Sequence, residues 1–64
     1  MSLQIDLREI INEGIQTNFG TKLLWLCLKA DDCNIEKIRL GFPNAVQMVE
    51  VWRKEGKILD LPYD

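Results

Sequence analysis

The run Leu23-Leu24-Trp25-Leu26-Cys27-Leu28 sets six apolar side chains in a row within a chain of only 64 residues. A half-buried strand would alternate, and a surface helix would leave polar gaps at each turn. An unbroken run fits a central element covered on several faces, and periodicity alone does not separate a buried helix from a buried strand. Composition favours helix over 21–30, because Leu, Lys and Ala form helices well and β-branched residues are nearly absent. Thr21 is suited to cap its start. A chain this short withholds only ~60% of its unfolded surface from water, so a partner or a second copy is expected to add to its stability.

The segments around the run read as helices too. Over 6–18, Leu7, Ile10, Ile11 and Ile15 recur at helical spacing, with Leu3 on the same stripe. Asp6 and Glu9 have the spacing of a capping box, Gly14 lies inside as a site of close helix contact, and Gly20 is a candidate stop. "DDCN" is a turn, and Asn34 is expected to cap a helix "IEKIRLGF" that points Ile35 and Ile38 inward, with Phe42 continuing their row. Pro43 forces a break there, because its ring disfavours the helical conformation at Phe42. The next helix runs from Pro43 or Asn44 to about Glu55 and stops at Gly56, with Arg53 and Lys54 in its last turn. Its inward face is Ala45, Met48, Val49 and Trp52. "KILDLPY" closes the chain as a short extended segment.

Charge and residue type narrow the function. The net charge is −2 and there is no histidine. Residues 33–58 hold five basic and three acidic side chains, against three and five in residues 1–32, so an anion-binding surface would have to come from 33–58. No glycine-rich phosphate loop and no nucleophile beside a base occurs, and the chain is read as non-enzymatic, without a small-molecule substrate or cofactor. Two cysteines without histidine cannot complete a four-ligand zinc site, and "DDCNIE" lacks the glycine and distal glutamate of a calcium loop, so no metal is expected. Unpaired cysteines fit a reducing, cytoplasmic setting. No run approaches the ~20 apolar residues of a membrane span, and the N-terminus lacks a signal pattern.

Buried helix, polar turn, short helix, tight break, second amphipathic helix and then "WRKEGKI" (Trp52 to Ile58) together resemble a helix-turn-helix of the winged-helix superfamily. The pattern is most similar to MerR-like and excisionase-like DNA-binding domains. The resemblance covers about residues 34–58. It sets Ile38 on the first-helix core position, and Val49 and Trp52 on core positions of the recognition helix. It implies an all-α domain of three to four helices, with the helix-turn-helix core at about 21–58 and at most a short C-terminal strand. It also implies binding to DNA as a dimer, in transcriptional or mobile-element control. Asn44 and Gln47 would read bases with Lys54 beside them, and Lys37, Arg39, Arg53 and Lys57 would hold phosphates. The sequence departs from the family pattern at Arg39, Pro43 and Glu50; a carboxylate at Glu50 would repel nearby phosphates. The alternative function is a protein-interaction or oligomerisation module of the same fold, using the apolar stripe of residues 3–15 or the tail 58–63.

Overall fold

The computed structural model describes residues 2–64 as an all-helical domain. The four helices are α1 (Leu3–Glu13), α2 (Phe19–Lys29), α3 (Asp32–Gly41) and α4 (Pro43–Glu55). No strand occurs among the described residues, and 57–64 follow as a tail without regular structure.

Local chemistry sets each boundary, and several differ from those expected. The first helix starts at Leu3 rather than Asp6: Ser2 caps it by accepting the Ile5 N–H at 3.2 Å, while Asp6 is buried. It ends at Glu13, well short of residue 18. Gly14 is the stop, with a φ of +69° that suits a residue without a Cβ, so it does not lie inside the helix.

Asn18, not Thr21, caps α2. Its Oδ1 accepts the Thr21 N–H at 2.9 Å, and Thr21 Oγ1 accepts the Asn18 N–H at 3.0 Å, a reciprocal capping box. Gly20 therefore lies in the first turn of α2 and is no stop. Asp31 rather than Asn34 caps α3, accepting the Asn34 N–H at 2.7 Å. Pro43 breaks the chain between α3 and α4 as expected, and Gly56 (φ +71°) ends α4.

The core forms where α4 meets the other helices. Leu3, Leu7 and Ile10 of α1, Leu23, Leu24 and Cys27 of α2, and Ala45, Val46, Met48 and Val49 of α4 are buried together. Ala45, Met48 and Val49 are the inward positions expected of α4; Val46 joins them, and Trp52 is only partly buried. Ile58, Leu59 and Leu61 of the tail pack on this cluster, as do Ile35, Ile38 and Phe42. The apolar stripe and tail expected to be sticky surfaces are thus largely used inside the molecule, although Ile5, Ile11 and Ile15 stay exposed.

The run 23–28 is helical, but it is not covered on every face. Leu24 and Cys27 are fully buried, whereas Leu26 is 54% exposed. α2 lies against α1 and α4 and has little contact with α3. A seam is left open there.

Candidate functional site

Two regions carry chemistry beyond ordinary core packing. The first is the outward side of α3 and α4, where the residues expected to meet DNA lie. Gln47, Glu50 and Lys54 follow one another at helical spacing on an exposed strip of α4. Glu50 is not isolated: Arg39 of α3 donates to its two carboxylate oxygens at 2.9 and 2.6 Å, and to Glu36 at 3.1 and 2.9 Å. These bonds hold the Glu50 carboxyl below its ordinary range, with the Arg39 hydrogen bond the largest cause. Arg39 is raised further above its already high value by the same two carboxylates, so it stays charged at any working pH.

Three of the other expected contacts are engaged within the chain. Arg53 donates to the Leu28 carbonyl at the end of α2. Asn44 donates its side-chain amide to the Pro62 carbonyl at 3.1 Å. Lys57 lies 3.8 Å from Glu55, an exposed pair of little energetic weight. Gln47 and Lys54 remain outward on α4, and Lys37 lies on α3 at the edge of the second region.

That second region is an apolar trough that opens between Leu3 of α1, the start of α2, Phe42 and the tail, and continues into the open seam between α2 and α3. Its larger part is a cavity of about 510 Å³ walled by Phe19 and Leu23 of α2 and by Phe42. A smaller part of about 250 Å³ continues past Leu26 and Ile38. Leu23 and Phe42 line both, and the Phe19 and Phe42 rings sit 5.9 Å apart. Phe19 is 69% exposed. Among the described residues, Lys37 and Asp64 are the charged groups of the lining, and they lie at opposite parts of the trough.

The tail forms the wall beside Asp64. Asp64 accepts the N–H groups of Asn44 and Ala45 at 2.8 and 3.1 Å, satisfying the start of α4 where its dipole favours negative charge. Tyr63 donates its hydroxyl to Asp6 Oδ2 at 2.6 Å, and Asn18 donates to Asp6 Oδ1 at 3.4 Å. The hydrogen bond to Asp6 is the main reason the Tyr63 hydroxyl is pushed up to about 12.

Sequence reasoning misses the trough. Its one signal is the excess of apolar residues in 23–28 over what so small a core can cover. Among the described residues, no group of His, Cys, Asp or Glu is arranged to hold a metal ion, and no helix is long and apolar enough to cross a membrane. Comparison with known proteins finds no family model, no curated protein and no solved structure that matches this chain.

Proposed function

We propose that this domain is a non-enzymatic protein-interaction module whose binding surface is the trough running from the start of α2 and the tail into the α2–α3 seam. The observation that carries this reading is the exposure of Phe19 and Leu26 at cavities of about 510 and 250 Å³ that share Leu23 and Phe42. Aromatic side chains at the rim of a concave apolar surface are the usual anchors of protein recognition. A hydrophobic dye, 8-anilinonaphthalene-1-sulfonate, tests it. The folded protein should enhance the dye's fluorescence, and Phe19→Ser should remove most of that signal. Equal signals from both proteins would sink the reading.

DNA binding is the second reading, favoured by one observation: Arg39 neutralises Glu50 and so removes the repulsion it would otherwise exert on phosphates. Gln47, Lys54 and Lys37 would then carry the contact. With Arg39 and Arg53 engaged inside the chain, Lys37, Lys54 and Lys57 are the expected cations left for phosphates, and affinity should be low and strongly salt-dependent. Titration against duplex DNA at low and moderate salt decides it. Binding that weakens with salt and with Lys54→Ala supports it, and no binding at low salt removes it.

A further inference from the structure

Resting on the trough as the binding surface, we infer that it is occupied by the trough of a second copy of this chain, related by a two-fold axis. Charge points to that occupant. The charged groups of the lining are Lys37 at the smaller cavity and Asp64 at the larger. A surface with opposite charges at its two ends is complementary to its own copy turned end for end, which sets each Lys37 against the other copy's Asp64. Two-fold interfaces are isologous, so one patch has to supply both partners.

The same residues serve as wall and as filling. Phe19 and Leu26 project from α2 beside the cavities that Leu23 and Phe42 line. In the antiparallel arrangement each copy presents these side chains to the other's trough. A specific interface needs about 1,000 Å² in total, or roughly 500 Å² from each copy. That is about one eighth of the 4127 Å² surface of this domain.

Sedimentation equilibrium of the full chain from micromolar to millimolar concentration is the test. The wild-type protein should self-associate, and Phe19→Ser should abolish this. Lys37→Glu alone and Asp64→Lys alone should each weaken it at least about tenfold, because each sets like charges together. Mixing those two variants should restore association, since every cross-copy pair is again of opposite sign.

Asp64→Asn, which keeps an acceptor for the start of α4, guards against a loss caused by unfolding and should weaken association less than Asp64→Lys. A monomer that still binds the dye through Phe19 overturns the second copy and leaves the interaction reading standing. A monomer that binds no dye overturns both. Association indifferent to Phe19→Ser overturns the inference, because the copies would then meet through another face.

Discussion

The two sides of α2 close differently. Toward α1, the seam is sealed by Asp6, which is fully buried, hydrogen-bonded to Tyr63 and Asn18, and pressed against Gly20. Toward α3, the seam is open and apolar, with Phe19 and Leu26 facing outward. Both sides begin with apolar residues of the same helix. What separates them is whether another helix comes close enough to cover them: α1 does so on one side, while α3 barely touches α2 on the other.

Substitution of one glycine on each side should break the comparison most sharply. A Cβ at Gly20 would run into Asp6 Oδ2. The Asp6 carboxylate cannot swing aside without breaking its bonds to Tyr63 and Asn18, so Gly20→Ala should cost about 1–3 kcal/mol in chemical denaturation. The closed seam should also respond to alkali. Tyr63 is the only tyrosine, so absorbance at the phenolate band reports it alone. Its hydroxyl should titrate near 12, and Asp6→Asn should return it toward its ordinary 10. Because the folded value is the higher, its contribution to stability is complete below about 10 and is lost as pH rises through about 12. The smallest effect belongs to the open seam. Gly41, beside the trough, has nothing within 4 Å of an added Cβ, so Gly41→Ala should be tolerated and should stabilise α3 by roughly 0.5 kcal/mol in the same denaturation measurement.

Much of the fold can be read from local chemistry. Pro43, Gly56 and the inward row Ala45, Met48 and Val49 are legible because proline, glycine and helical period act within a few residues. Asp6 reads wrongly as a cap for the same reason: its spacing to Glu9 is a local pattern, while its burial depends on Tyr63, 57 residues away. Asn44 and Arg39 look like free polar groups, yet Pro62 and Glu50 engage them through tertiary contacts that no local pattern announces. The trough stays hidden because the sequence reports how apolar a helix is, and not which of its faces the rest of the chain will reach.

The bond between Tyr63 and Asp6 also closes nearly the whole chain into a ring. Bringing together residues 57 apart costs roughly 3–4 kcal/mol in chain entropy, which a few hydrogen bonds offset only once the helices have already docked. The tail therefore closes late in folding and opens early in native-state fluctuation. Its Tyr63 and Asp64 are also one wall of the trough. Whatever settles in the trough holds that wall in place, so occupancy should slow amide exchange around Asp6, which Tyr63 bonds.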